Sequence, residues 1–171
     1  FCLWNAQDDQ TNYQRNLSLA EGEVELDGPH GSAIFHKTEY RERRDHYAVF
    51  GVNTRADGFD TDRDTFVGAY NSLGEAAVPR AGGSADSVAS GWYPIGSHSV
   101  RVTLAPGETR DLVYVLGYLE NPQDEKWADD AHQVVNKEGA HALLGRFATA
   151  AQADAAIEAL QTYWTELLST Y

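Results

Sequence analysis

The chain has 171 residues, enough for one domain with a sizeable hydrophobic core. Its 13 Lys and Arg stand against 26 Asp and Glu, and the formal charge of −13 argues against nucleic acid or an anionic membrane as a partner. The single cysteine, Cys2, excludes an internal disulfide and a structural zinc site, and no apolar run reaches the roughly 18 residues of a membrane span. We therefore expect a cytoplasmic protein without a metal or a cofactor.

The first six residues, Phe-Cys-Leu-Trp-Asn-Ala, have the apolar and aromatic character of a β-strand. The chain contains no methionine, and a strand at its very start is unusual because termini are normally exposed and polar. These two features predict that the chain is a piece of a longer polypeptide.

A polar segment, residues 5–15, follows this strand and carries amides, two adjacent carboxylates, a hydroxyl, a tyrosine and an arginine. Sugar hydroxyls need donors and acceptors, which Asn, Gln, Asp and Arg side chains supply in planar pairs. A sugar-binding loop is one interpretation. The other is structural, since Asx residues favour turns and Arg15 could pair with Asp8 or Asp9.

The next elements are predicted to be strands. Alternating apolar residues predict strands over 23–26 and 33–36, joined by a longish turn over 27–31, which together make a hairpin. Residues 46–52 form a nearly continuous apolar run, which is typical of a strand buried on both faces.

The middle of the chain is less regular. Residues 54–97 are rich in Gly, Asp and Ser, and we expect long surface connections with short strands there. A second hairpin is predicted from strands over 99–104 and 111–118, because Pro106 and Gly107 between them suit the centre of a type II turn.

Beyond Pro122 the pattern becomes helical, with a short helix predicted over 140–147. Thr149 and Gln152 have the spacing of a capping box, which predicts the start of a helix of about 20 residues. Apolar residues of that helix recur at spacings of four, three, four, three and four, as one stripe that needs a surface to pack against: Ala153, Ile157, Leu160, Trp164, Leu167 and Tyr171.

The predicted fold class is mainly β, an antiparallel β-sandwich with C-terminal helices. We expect a sandwich portion over 1–121, and a loop with a helical linker over 122–171. The three aspartates within 60–64 resemble a calcium loop but lack its central Gly and distal Glu, so no metal site is predicted. Nucleophile elbows, phosphate-binding glycine loops and zinc signatures are absent from the sequence, and no catalytic residue is nominated.

Six sequence blocks in matching order resemble the inverting glycoside phosphorylases of glycoside hydrolase family 94, in particular the cellobiose phosphorylases. The blocks are FCLWNA at 1–6, DQTNYQR at 9–15, HKTEYRERR at 36–44, GFDTDR at 58–63, GWYPIGSH at 91–98 and LGY at 116–118. The resemblance covers essentially the whole chain. It implies the later part of a galactose-mutarotase-like supersandwich and the start of the helical linker that follows it.

The resemblance also implies a reaction, in which cellobiose and inorganic phosphate give α-glucose 1-phosphate and glucose. The catalytic Asp of such enzymes lies on an (α/α)6 barrel that this chain lacks, so the chain by itself is expected to be inactive. The positions that match the family's sugar loop are Asn5, Asn12 and Arg15, expected to contact the acceptor glucose. The implied partners are cellobiose or glucose, the enzyme's own catalytic barrel and a second subunit in a homodimer.

Two alternatives stay open on the residues alone. The chain could be a stand-alone sugar-binding sandwich that catalyses no reaction. It could also be a purely structural dimerisation domain whose polar loop never contacts a sugar.

Overall fold

The computed structural model of the chain describes residues 20–38, 46–89 and 94–169. Within these ranges six strands form two antiparallel sheets, and two longer helices follow them. The predicted mainly β fold with C-terminal helices is confirmed.

The strands are β1 Ala20–Gly28, β2 Gly31–Thr38, β3 His46–Val52, β4 Gly58–Asp62, β5 Pro94–Ser99 and β6 Tyr114–Glu120. The helices are α1 Arg63–Val67, α2 Ala77–Ala81, α3 Glu138–Gly145 and α4 Ala150–Leu168, with a short 3-10 turn at Leu73–Glu75. The first sheet has the order β1-β2-β3-β6, and β4 pairs with β5 in the second.

Both predictions for the first three strands are confirmed. Strand β3 has the predicted bounds, and it is covered on both faces, by the hydrophobic core on one and by the second sheet on the other, which explains why its sequence is apolar at nearly every position. The β1–β2 hairpin also forms, but its turn is shorter than predicted. Gly28 pairs directly with Gly31, which leaves only Pro29 and His30 in the loop.

One face of the four-stranded sheet holds the hydrophobic core. Phe35 and Tyr47 are fully buried there beside Val49, and helix α3 covers them with Ala140 and Leu144. Burying a large apolar side chain stabilises a fold by about 1.5–3 kcal/mol. The sheet and α3 are therefore one packed unit.

Two glycines let α3 approach the sheet this closely. A Cβ at Gly51 of β3 would overlap the Leu144 side chain, and a Cβ at Gly117 of β6 would overlap Leu143. Leucine side chains of the helix rest on bare backbone at these two points, so an alanine at either would force the leucine above it to move.

The second sheet packs against the opposite face of the first. Ile34 is fully buried on that face, and two histidines link the layers: His36 of β2 contacts Ile95 of β5, and His98 of β5 contacts Phe50 of β3. Two antiparallel sheets with side chains between them make a sandwich.

The turn of the second predicted hairpin is present. The Glu108 backbone N–H donates to the Ala105 carbonyl at 2.9 Å, and Gly107 has a φ of 82°. A positive φ at the third residue is what a type II turn requires, and glycine adopts it without strain.

The predicted pairing of the two strands beside this turn is wrong, and so is the strand predicted over 99–104, whereas the strand predicted over 111–118 is present in part as β6. Strand β5 ends at Ser99 and pairs with β4, whereas β6 begins at Tyr114 and pairs with β3. The two flanks of the turn therefore enter different sheets. The chain crosses between the layers over residues 100–113 instead of folding back on itself.

Helix α4 begins as predicted. Gln152 donates its backbone N–H to Thr149 Oγ1 at 3.3 Å, and its side chain accepts from the Thr149 N–H at 3.0 Å, which completes the capping box. Asn53 Nδ2 donates to the Ala148 carbonyl at 3.1 Å and ties the start of the helix to the sheet. Beyond its first turns α4 is exposed along its length, and Trp164 is 50% exposed. Within the described part of the chain, no other element packs against the predicted apolar stripe.

Candidate functional site

The residues predicted to bind sugar lie outside the described part of the chain. Asn5, Asn12 and Arg15 all precede Ala20, where the description begins. Trp92 of the GWYPIGSH block also lies outside it. The sugar-site assignment therefore stays a prediction.

Asp60 of the GFDTDR block is a buried carboxylate that holds a neighbouring loop in place through hydrogen bonds. It is 1% exposed and accepts hydrogen bonds from the Ala85 backbone N–H at 3.1 Å and from Ser87 Oγ at 2.6 Å. Its neighbour Thr61 accepts from the Ala89 N–H at 2.7 Å. These bonds fix residues 84–89 along β4, so the block organises a loop at the edge of the second sheet.

Asp62 has a second structural role, because it caps α1 by accepting the Thr65 N–H at 2.7 Å. The spacing that resembles a calcium loop thus reflects two structural roles, since Asp60 anchors a loop and Asp62 caps a helix. In the ranges that the structure describes, no three His, Cys, Asp or Glu side chains form a group suited to a metal ion.

Two histidines join the sheets through backbone carbonyls. His36 Nε2 lies 2.8 Å from the Ile95 oxygen, and His98 Nε2 lies 3.0 Å from the Phe50 oxygen. A carbonyl oxygen only accepts, so each imidazole carries its proton on Nε2. Burial lowers the pKa of His36 from 6.5 to about 4, against the opposing effect of its hydrogen bond.

The same balance lowers the pKa of His98, where burial outweighs the hydrogen bond to the Phe50 carbonyl. Its ring stacks on that of Phe50 at 5.2 Å, and Phe50 stacks in turn on Tyr114 at 5.7 Å. Both imidazoles are neutral at pH 7 and engaged across the sandwich. They connect the two layers, and because the unprotonated Nδ1 of each ring is buried, neither presents a basic nitrogen to a cleft as a general base does.

Two acid–base pairs connect β1 to the C-terminal helical part. Lys137 Nζ lies 2.7 Å from Glu23 Oε2, with the side chains 16% and 17% exposed. His141 Nε2 lies 2.7 Å from Glu25 Oε2. Glu23 also accepts the backbone N–H of Val135 at 2.9 Å. The pairs hold α3 and the segment before it against the edge of the sheet.

The sequence alone did not predict that His36 and His98 connect the two sheets or that Asp60 anchors a loop. One signal was available for His36, since it shares the inward parity of Ile34 along β2. No pattern in the sequence identifies the carbonyls that the histidines reach, because these lie on strands distant along the chain.

The partners of these described groups are backbone atoms and side chains of neighbouring strands, loops and helices, so the groups hold the fold together. Among residues 20–38, 46–89 and 94–169, no helix combines the length and the apolar character needed to cross a bilayer.

Comparison with known proteins identifies the fold family. The family model described as glycosyl hydrolase 94, supersandwich domain, matches residues 1–150. No curated protein matches the chain. The supersandwich is the non-catalytic N-terminal domain of enzymes that carry glycoside phosphorylase activity. The match ends where α4 begins, and it includes both sheets and α3. The chain therefore belongs to glycoside hydrolase family 94 and contains the supersandwich domain of that family.

Proposed function

We propose that the chain is the N-terminal domain of a cellobiose phosphorylase and that its polar loop helps form the acceptor glucose site. The observation that carries the proposal is the family match over residues 1–150, which includes the polar segment at 5–15. The complete enzyme, the longer protein that contains this chain, would convert cellobiose and inorganic phosphate to α-glucose 1-phosphate and glucose.

The chemical step belongs to the catalytic barrel of the complete enzyme. There an Asp protonates the glycosidic oxygen while phosphate attacks the anomeric carbon from the opposite face, as in inverting hydrolysis with phosphate in place of water. The contribution of this chain is to bind and orient the glucose that leaves. Asn5 and Asn12 offer amide donors and acceptors, and Arg15 offers a rigid fork of donors to sugar hydroxyls.

The described sheet supports this role because it provides a firm base for the loop. The polar segment leads into β1, which is paired with β2 from Ala20 onward, and the Gly22 N–H reaches the Ala89 carbonyl at 3.4 Å. A binding loop that starts from a rigid element positions its side chains more reproducibly than a free one.

Helix α4 supports the connection to a barrel. Its apolar side chains are 40–65% exposed, and in the proposed enzyme they pack against the catalytic barrel: Ile157, Leu160, Tyr163, Trp164, Leu167 and Leu168. The negative charge and the lone cysteine agree with the proposed cytoplasmic location, and a homodimer is part of the same proposal.

Arg15→Ala in the complete enzyme tests the acceptor site. Loss of one charge-assisted hydrogen bond, worth about 1.5–3 kcal/mol, predicts that the KM for glucose in the synthetic direction rises roughly 10-fold to 100-fold, and loss of two predicts a larger rise. The KM for glucose 1-phosphate changes much less, because that substrate binds on the barrel side of the scissile bond.

Arg55→Ala is the matched control. Arg55 forms an exposed pair with Asp27 at 2.6 Å, in a part of the domain that the proposal gives no substrate contact, and its loss should leave both constants unchanged. An unaltered KM for glucose in the Arg15→Ala enzyme would show that the loop is structural. The 171-residue chain alone should form no glucose 1-phosphate from cellobiose and phosphate, and detectable product would contradict the assignment of catalysis to the barrel.

A further inference from the structure

Two parts of the chain that are distant in sequence meet near the start of β1. The Gly22 N–H of β1 donates to the Ala89 carbonyl at 3.4 Å. Ala89 is 2% exposed, and its own N–H donates to Thr61 Oγ1 of β4 at 2.7 Å. Hydrogen bonds from both sides of the Ala89 backbone therefore connect β4 of the second sheet to β1 of the first.

Direct packing between β4 and β1 reinforces this contact. Thr61 is fully buried, and its Oγ1 lies 3.2 Å from the position that a Cβ on Gly22 would occupy. Because Gly22 has no side chain, the Thr61 hydroxyl packs against the bare backbone of β1. The start of β1 is thus held by β4 and Ala89 as well as by its pairing with β2.

Asp60 holds the segment that ends in Ala89. Its carboxylate accepts from the Ala85 N–H at 3.1 Å, the Ser87 N–H at 3.2 Å and the Ser87 hydroxyl at 2.6 Å. Hydrogen bonds to a carboxylate are stronger than those between neutral groups, and this one is buried. Ser87 also forms a parallel bridge with Asp60, so residues 85–89 lie along β4 in a position that Asp60 fixes.

A short length of chain joins this point to the polar segment at 5–15. Arg15 precedes Ala20, the first residue of β1, by only five positions. A displacement of the start of β1 is therefore transmitted to the loop that continues from it. Misplacing a group by about 1 Å through a substitution far from the chemistry costs up to roughly 100-fold in activity.

We propose that Asp60 is a positioning residue for the acceptor glucose site. Through residues 85–89 it fixes the start of β1, and through β1 it sets the placement of Arg15 against the sugar. This inference rests on the proposed function. It gives the GFDTDR block a role in substrate binding in which Asp60 itself does not contact the substrate.

Asp60→Ala in the complete enzyme tests the proposal. The KM for glucose in the synthetic direction should rise roughly 10-fold, whereas the KM for glucose 1-phosphate should change by no more than about 2-fold. Asp62→Ala is the matched control, because it removes a carboxylate of the same block whose side chain caps α1, and it should leave both constants unchanged. An unaltered KM for glucose, or equal rises for the two substrates, would overturn the proposal.

Two further variants keep the proposal testable if Asp60→Ala does not fold. Asp60→Asn retains one oxygen that accepts from Ser87 and should keep the KM for glucose within about 3-fold of its normal value. Thr61→Val keeps the shape of the side chain but removes the acceptor of the Ala89 N–H, so it should raise the KM for glucose alone. A normal KM in the Thr61→Val enzyme would contradict the proposal.

Combination with Arg15→Ala shows whether Asp60 acts through the loop. In an enzyme that already lacks the Arg15 side chain, Asp60→Ala should raise the KM for glucose less than it does alone, because substitutions that share one interaction are not additive. Independent, multiplying effects would overturn the proposal. A raised KM in Arg15→Ala with an unaltered KM in Asp60→Ala would refute only this inference, whereas an unaltered KM in Arg15→Ala would refute the proposed acceptor site.

Hydrogen exchange in the 171-residue chain supplies a readout that does not use activity. The Gly22 amide should exchange at least roughly 10-fold faster in the Asp60→Ala chain than in the Asp62→Ala chain, because its partner carbonyl on Ala89 is no longer held in place. Equal exchange rates in the two variants would show that Asp60 does not fix the start of β1, and would overturn the proposal.

Discussion

The four-stranded sheet with α3 and the exposed helix α4 use similar apolar residues but differ in what covers them. Phe35 and Tyr47 in the sheet are fully buried, whereas Leu160 and Trp164 in α4 are 56% and 50% exposed. Each region has a regular apolar period, two in the strands and three to four in the helix. The comparison shows that periodicity determines which face of an element is apolar, but not whether the same chain supplies the surface that covers it.

The largest expected effect comes from the buried region. Phe35→Ala should reduce the free energy of unfolding of the 171-residue chain by about 3–5 kcal/mol, because it leaves a cavity under α3. Urea denaturation measures the loss. Phe35→Leu, expected to cost about 1 kcal/mol, keeps the prediction testable if the alanine variant does not fold.

Leu160→Ala is the matched substitution on α4 and should change the free energy of unfolding by no more than about 0.5 kcal/mol. Equal losses at Phe35 and Leu160 would remove the distinction between the two regions.

The next largest loss of stability is expected on acidification, through the His36 contact between the two sheets. Above pH 6.5 the His36 imidazole is neutral in the folded and the unfolded chain and has no effect on stability. Below that pH the unfolded chain binds a proton that the folded chain does not bind until about pH 4, so stability falls across this window. The full shift in pKa, from 6.5 to about 4, corresponds to about 3 kcal/mol.

His36→Gln provides the comparison, because an amide can donate to the Ile95 carbonyl without titrating. Its free energy of unfolding, measured between pH 7 and pH 4, should depend less steeply on pH than that of the unsubstituted chain. Identical slopes would show that His36 is not the group responsible.

A smaller effect is expected for the pair that holds the helical part to β1. Lys137 and Glu23 are mostly buried, so a double-mutant cycle with Lys137→Met and Glu23→Gln should give a coupling free energy of about 1 kcal/mol. The pair Arg55–Asp27, with side chains 63% and 75% exposed, serves as the control and should give about 0.5 kcal/mol or less. A smaller coupling for the buried pair than for the exposed pair would contradict the conclusion that the Lys137–Glu23 pair holds the helical part against β1.

Local signals in the sequence predicted their elements well. The run at 46–52 matches β3 because a strand covered on both faces is apolar at every position. The capping box at Thr149 predicted the start of α4 because its hydrogen bonds join residues only three positions apart. Likewise, Gly107 identified a turn that depends on four consecutive residues.

Signals that depend on distant partners were not available. The sequence contains the correct turn at 105–108 but does not show that β5 and β6 belong to different layers, since strand pairing is decided by residues far apart in the chain. The link between His36 and Ile95 has the same origin. The assignment of Asn5, Asn12 and Arg15 to the sugar site rests on the family resemblance, and the KM measurements on the Arg15→Ala enzyme test it.

The comparison between the covered sheet and the uncovered helix is tested most directly by one substitution measured in two proteins. Trp164→Ala should change the free energy of unfolding of the 171-residue chain by no more than about 0.5 kcal/mol, because the side chain is half exposed there. In the complete enzyme, where α4 is proposed to pack against the barrel, the same substitution should cost about 3 kcal/mol. A large loss in the 171-residue chain, or none in the complete enzyme, would contradict the account.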